Sequence, residues 1–146
     1  MQYLSILYRV LIALWVGGAA LFTFVLTPTL FKSFDRDLAG TIVGVLFPGY
    51  FKTGLIYGAL ALGCLLFVRE KHWLASVLII VALLIATSLQ AFVIEPKAAA
   101  IKKEIPSFVT TPADNPFRQQ FKKLHAVSAV CNLAVIGGGV VLLILL

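Results

Sequence analysis

The chain reads as an all-α integral membrane protein. The expected fold is an antiparallel four-helix bundle with an interfacial segment between its first two helices and extended ends on helices three and four. Three observations predict this. Its 146 residues are 61% hydrophobic and only 12% charged, against roughly 25% charged in a soluble domain. Mean hydropathy is +1.04. Four stretches approach or reach the ~20 mostly apolar residues that cross a bilayer, and most charges lie between them. Residues 1–146 are expected to form one transmembrane domain.

The first span runs from Tyr3 to Leu26. Its apolar run from Val10 to Leu26 is longer than a signal-peptide core, and no small-residue cleavage site follows, so a retained helix is expected. Arg9 lies about two turns in and is expected to snorkel to the headgroups, with Tyr3 and Tyr8 as interface anchors. Gly17 and Gly18 are candidate helix-packing positions.

The connection "PTLFKSFDRDLAGTIVGVLFPGY" is half apolar. Asp35 or Asp37 suits the N-cap of a short helix. Leu38, Ile42 and Val45 would share one face of it, as in an interfacial helix. Pro48-Gly49 is expected to break that helix before the second span, Phe51 to Val68. Gly54 and Gly58 form a GxxxG pair there, a pattern that lets backbones approach closely.

"REKH" (69–72) is a tight polar turn, so the second span and the third, Trp73 to Ile94, should be antiparallel neighbours. "EPKAAAIKKEIP" is rich in helix formers and extends the third helix beyond the bilayer. "SFVTTPADNP" reads as a loop. Asn115 before Pro116 is a cap and first-turn pair, so the fourth helix begins near Pro116 and spans from Leu124 to Leu146. Gly137 to Gly139 mark close packing within it.

Charge placement gives an expected orientation. Lys32, Arg36, Lys52, Lys97, Lys102, Lys103, Arg118, Lys122 and Lys123 fall on one side, and Arg9, Arg69 and Lys71 on the other. The positive-inside rule then puts the long connections in the cytoplasm and both termini outside, in a bacterial inner membrane. The net charge of +6 points to anionic lipid headgroups and away from nucleic acid, because the basic residues flank apolar spans.

Polar residues inside spans are costly and often functional. His125, Ser128 and Asn132 share one helical face. An Asn amide turned to lipid would be unsatisfied, so this stripe should face the bundle. Glu95, Gln90, Lys52, Thr53, Tyr57, Thr23 and Thr27 share its approximate depth, with His125 and Glu95 as a charged pair. The stripe reads either as an interhelical hydrogen-bond register or as a polar pocket. No metal site is expected. There is no CxxC, Cys64 and Cys131 fall in apolar segments, and His72 and His125 lie at opposite membrane faces.

The stretches "LWVGGAALFTFVLTPTLF" (14–31), "AGTIVGVLFPGYF" (39–51) and "FKKLHAVSAVCNL" (121–133) resemble the transmembrane protein 205-like family, including its bacterial relatives of unknown function. The resemblance implies a compact four-helix membrane protein. Animal members are associated with platinum-drug tolerance and vesicle membranes, which implies transport or trafficking. A looser likeness joins "LWVGG" (14–18) to haem-linked membrane families, the copper-resistance D type and four-helix protoporphyrinogen oxidases. Those carry a histidine upstream, where this chain has Tyr8 and Arg9.

The leading expectation is a non-enzymatic membrane protein that binds or moves a small molecule, lipid or cation, or that joins a homo-oligomer or membrane complex. The alternative is a haem or porphyrin oxidoreductase with His125 as axial ligand. The residues alone name no cofactor. A transporter is disfavoured by the lack of a visible internal repeat.

Overall fold

The computed structural model describes residues 2–69 and 71–145. Every regular element among these residues is helical. Four helices are long and apolar enough to cross a membrane: helix 1 (Gln2–Ser33), helix 2 (Arg36–Phe67), helix 3 (Trp73–Lys103) and helix 4 (Pro116–Ile144). Glu70 of the expected turn and Leu146 of the expected fourth span lie outside the described residues. Helices 2 and 4 each pack against both helix 1 and helix 3, so the bundle closes as a ring in chain order.

The helices hold 29 to 32 residues, roughly 44–48 Å at 1.5 Å per residue, against about 30 Å of hydrocarbon. The surplus gathers at one end. There the ends of helices 1 and 3 meet the beginnings of helices 2 and 4 and the loop over 104–115 in a polar layer. The outer surface of the bundle is apolar, with Phe67 72%, Phe92 71% and Ile144 76% exposed. In water such a surface would drive aggregation; in a bilayer lipid chains cover it. The core is built on Tyr8, Ile12, Trp15, Leu65, Ile80 and Leu142. Tyr8 is thus a core residue and not an interface anchor, while Tyr3 stays exposed.

Both helix starts in the polar layer are capped by side chains. Asp35 accepts from the amides of Asp37 (3.1 Å) and Leu38 (2.9 Å). Asn115 accepts from Phe117 (3.0 Å) and Arg118 (3.3 Å), with Pro116 in the first turn. Of the two candidate caps before helix 2, Asp35 caps and Asp37 does something else. Its carboxylate accepts from the Ser107 hydroxyl (2.5 Å) and the Phe108 amide (2.6 Å), which ties the loop to helix 2.

The expected break at Pro48-Gly49 does not occur. Helix 2 is continuous from Arg36 to Phe67 with Pro48 inside it, so the segment read as a separate interfacial helix is its first turns. Proline's fixed φ is itself helical, so continuing through Pro48 costs chiefly the hydrogen bond to the Gly44 carbonyl and crowding there. Gly44 has no side chain to add to that crowding. Phe47 and Phe51 stack at 5.4 Å across the site and hold the turn. Leu38 and Val45 point outward while Ala39 and Val43 are buried.

Helices 1 and 3 each widen into a π turn, over Phe22–Leu26 and Gln90–Ile94. The Thr27 amide donates to the Phe22 carbonyl, and the Glu95 amide to the Gln90 carbonyl, each five residues back. Proline follows at once in both, Pro28 and Pro96. A proline ring presses on the carbonyl four residues before it, and a wider turn relieves that pressure. The sequences around the two turns match, "TFVLTP" (23–28) and "AFVIEP" (91–96).

The match extends into the packing. Tyr8, Ile12, Trp15, Ala19 and Phe22 are buried in helix 1. At the same interval as Pro28 to Pro96, Ser76, Ile80, Leu83, Thr87 and Gln90 are buried in helix 3. In helix 2, Gly54, Gly58 and Ala61 are buried, and in helix 4 Val135, Gly139 and Leu142 repeat their spacing. A Cβ on Gly58 would come within 2.7 Å of Leu84, and one on Gly139 would collide with Val16, the residue equivalent to Leu84. The chain is therefore two helical hairpins packed alike, a repeat the sequence reading did not find. Sequence identity is concentrated beside the prolines, with Ile12/Ile80 and Gly58/Gly139 as further identical pairs; otherwise the repeat lives in the burial register.

Candidate functional site

The polar residues of helix 4 meet the other three helices at one level. The Tyr50 hydroxyl donates to Asn132 Oδ1, and Asn132 Nδ2 donates to Thr23 Oγ1. Gln90 Nε2 donates to the Ser128 carbonyl (2.9 Å) and to Ser128 Oγ (3.1 Å). Gln90 is only 1% exposed. Asn132 thus joins helix 4 to helices 1 and 2, and Ser128 joins it to helix 3. Each buried amide has partners on a neighbouring helix, as the cost of an unpaired amide in hydrocarbon requires.

His125 stands apart from this knot. It is exposed and stacks on Phe121 with ring centroids 6.3 Å apart. Glu95 is half-buried, and the charge acting on it is that of Lys102, not His125. The expected His125–Glu95 pair is therefore replaced by a Glu95–Lys102 relation on helix 3. The Lys102 ammonium lies against Gly40 and Gly44 of helix 2, 3.6 and 3.8 Å from where Cβ atoms would sit. Asp37 lies in the first turn of helix 2, in the polar layer. The Ser107 hydroxyl and the Phe108 amide hold its carboxyl below the usual carboxylate range. Arg118 donates to the Thr111 carbonyl and lies over the Phe108 ring.

A groove of about 340 Å³ runs between helices 1 and 2, directly in front of the knot. Trp15, Phe22, Tyr50 and Tyr57 wall it, and Leu26 and Leu46 stand at the end toward the polar layer. Phe22 stacks on Tyr50 at 4.4 Å, so one tyrosine presents its ring to the groove and its hydroxyl to Asn132. Thr53 also lines the groove, its hydroxyl turned back to the Gly49 carbonyl (2.8 Å). Lys52 beside it is exposed.

The glycines divide into two kinds. A Cβ on Gly54 would reach within 2.9 Å of the Trp15 indole, and one on Gly58 within 2.6 Å of the same ring, so both lie at a helix contact. Gly138 and Gly139 do the same against Leu83 and Val16. Gly17 and Gly18 do not. They are exposed, a Cβ there would meet nothing within 4 Å, and Gly18 instead opens the groove wall, as Gly49 does.

Tyr50 is the residue that sequence reasoning missed. With Pro48 read as a break, Tyr50 fell outside the second span. Once helix 2 is continuous, Tyr50, Thr53, Gly54 and Tyr57 share a face. Cys64 and Cys131 are both free thiols. Among the described residues no group of three or more His, Cys, Asp or Glu is placed to hold a metal ion.

Residues 10–107 match the family described as a domain of unknown function, DUF4149. The chain belongs to that family. It is also 35% identical over 127 residues to an uncharacterized protein of Aquifex aeolicus (strain VF5), covering 86% of this chain and 83% of that one. No solved structure matches. The DUF4149 match includes Thr23, Tyr50, Gln90 and the walls of the groove; Ser128 and Asn132 lie beyond it.

Proposed function

We propose that this DUF4149 protein is a non-catalytic lipid-binding protein of the bacterial inner membrane, and that the groove between helices 1 and 2 takes one acyl chain. The observation that carries this reading is the groove itself. It is apolar, faces the bilayer, and is left open by Gly18 and Gly49, where added side chains would meet no protein atom. At Gly54, Gly58, Gly138 and Gly139 glycine brings helices together; at Gly18 and Gly49 it leaves space in the groove wall. Exposed Lys32, at the end of helix 1 in the polar layer, suits an anionic headgroup. The knot behind the groove is internally satisfied, which favours a holding role over passage of a polar solute. The positive-inside bias supports cytoplasmic placement of the polar layer, with both termini outside. The likeness of residues 14–31, 39–51 and 121–133 to the transmembrane protein 205-like family supports a shared bundle.

Purification in mild detergent with quantification of retained phospholipid tests the binding. Gly18→Leu and Gly49→Leu should fold normally and lose a stoichiometric lipid that the natural chain keeps. Equal retention by all three proteins would remove the groove as the site. A reporter fused after Leu146 tests the orientation; activity confined to the cytoplasm would reverse it.

A further inference from the structure

Three of the four helices are weakened at one level, and the fourth is not. Helix 1 carries the π turn Phe22–Leu26 before Pro28, and helix 3 the π turn Gln90–Ile94 before Pro96. Helix 2 carries Pro48, two residues from Tyr50. Each proline lacks an amide donor, and each π turn departs from the regular ladder. The hydrogen bonds of Thr23, Tyr50 and Gln90 to helix 4 place these weak points at a common depth. Helix 4 has neither proline nor glycine from Phe117 to Ile136, so it crosses that level as an unbroken rod.

The attachments have a matching logic. Asn132 fastens helix 1 through Thr23 and helix 2 through Tyr50, while Ser128 fastens helix 3 through Gln90. Every weak helix is thus tied to the rod at its weak point, by a side-chain hydrogen bond. An interhelical bond of this kind is weak enough to break in a conformational change.

We propose that this level is a hinge plane, and that Asn132 and Ser128 are the latches that keep it straight. With the latches open, the polar-layer ends of helices 1, 2 and 3 swing relative to helix 4. Phe22 and Tyr50 flank the plane and also wall the groove, so bending alters the groove's mouth; this consequence alone rests on the lipid reading above.

Spin-label distances in the full chain, reconstituted in nanodiscs with Cys64 and Cys131 replaced by alanine, test the hinge. A pair at Ser33 and Leu133 spans the plane; a pair at Leu14 and Val140 lies on one side of it. All four positions are exposed. Unlatching by Asn132→Leu with Gln90→Leu, which removes the donor to both the Ser128 carbonyl and its hydroxyl, should give the spanning pair a second distance population and leave the other pair unchanged. Adding Pro28→Ala, which restores a donor to helix 1, should shrink that second population. Should the double variant fail to fold, Tyr50→Phe opens part of the latch by removing one hydroxyl, with the same expected direction. An unchanged spanning pair, or equal broadening of both pairs, overturns the hinge. Loss of groove lipid binding without any distance change would contradict the hinge alone. A distance change without groove lipid would contradict the lipid reading alone.

Discussion

The two hairpins of this protein use one scaffold with two chemistries. In the first, Phe22 packs against Phe47 at 5.6 Å, and Phe51 stacks beneath. In the second, the equivalent positions are Gln90, Ser128 and Asn132, and Gln90 donates to Ser128 where Phe22 touches Phe47. Aromatic contacts are tolerant of small shifts, whereas a hydrogen bond fixes two atoms to within a few tenths of an ångström. The first hairpin therefore supplies a surface, the groove wall. The second supplies register, by reaching across to Thr23 and Tyr50 of the first. The difference explains why the polar stripe of helix 4 exists without a polar cavity around it.

The largest expected effect tests whether the hairpins are equivalent. Gly58→Leu and Gly139→Leu both thrust a side chain into a packed neighbour, Trp15 in one case and Val16 in the other. Each should lower stability by about 3 kcal/mol or prevent assembly, read as a loss of the thermal transition in detergent. Gly137→Leu, which meets no atom, should be nearly silent. Damage from Gly58→Leu with none from Gly139→Leu would break the equivalence.

The next effect separates the two chemistries. Asn132→Leu leaves the Tyr50 hydroxyl without its acceptor and should cost about 1–3 kcal/mol. Adding Tyr50→Phe removes the stranded group and should recover much of that loss, because deleting both partners is far milder than deleting one. A double variant no more stable than Asn132→Leu would show that Tyr50 gains nothing from this bond. On the other side of helix 4, a double-mutant cycle with Gln90→Leu and Ser128→Ala should give a coupling of about 0.6–2 kcal/mol. Strict additivity there would leave the register to the bond from Gln90 to the Ser128 carbonyl, which Ser128→Ala keeps.

The smallest effect lies in the polar layer. Ser107→Ala removes one of two donors to Asp37 and should speed protease cleavage between 104 and 115 without shifting the main unfolding transition. The tie itself should persist at neutral pH. Because the folded carboxyl titrates below its usual range of about 3.9, the stabilisation is present above that value and is lost as pH falls through the lower, folded one. Faster cleavage already at pH 6 would contradict a charged Asp37 as the anchor.

Much of this architecture was legible in the residues. Apolar length revealed four spans, and Asn115-Pro116 announced the start of helix 4 well before the membrane. The cost of an unpaired amide turned Asn132 inward. What could not be read shares a cause: proline's local meaning depends on its surroundings. At Pro48 the aromatic packing of Phe47 and Phe51 carries the helix through. At Pro28 and Pro96 the backbone widens, which no side-chain periodicity reports. A π turn adds a residue to the face count, so the phase of helices 1 and 3 changes there; the equivalence of Phe22 and Gln90 is hidden because an aromatic ring and an amide occupy the same place in the register. His125 was overread. It shares a face with Ser128 and Asn132, but it sits outside the level where the helices close on one another.

Photo-crosslinking tests the groove most directly. A phospholipid with a diazirine on one acyl chain is reconstituted with the natural chain, irradiated, and its adducts are mapped by peptide mass spectrometry. A second, more open depression of about 520 Å³ between helices 2 and 3, lined by Leu62, Leu84, Ile85 and Phe92 among others, serves as the internal control. The account predicts adducts concentrated on residues 14–26 and 46–57, displaced by excess unlabelled phospholipid and lost in Gly49→Leu. Adducts spread equally over both depressions, unaffected by Gly49→Leu, would mean that lipid only wets this protein and that the groove holds no chain of its own.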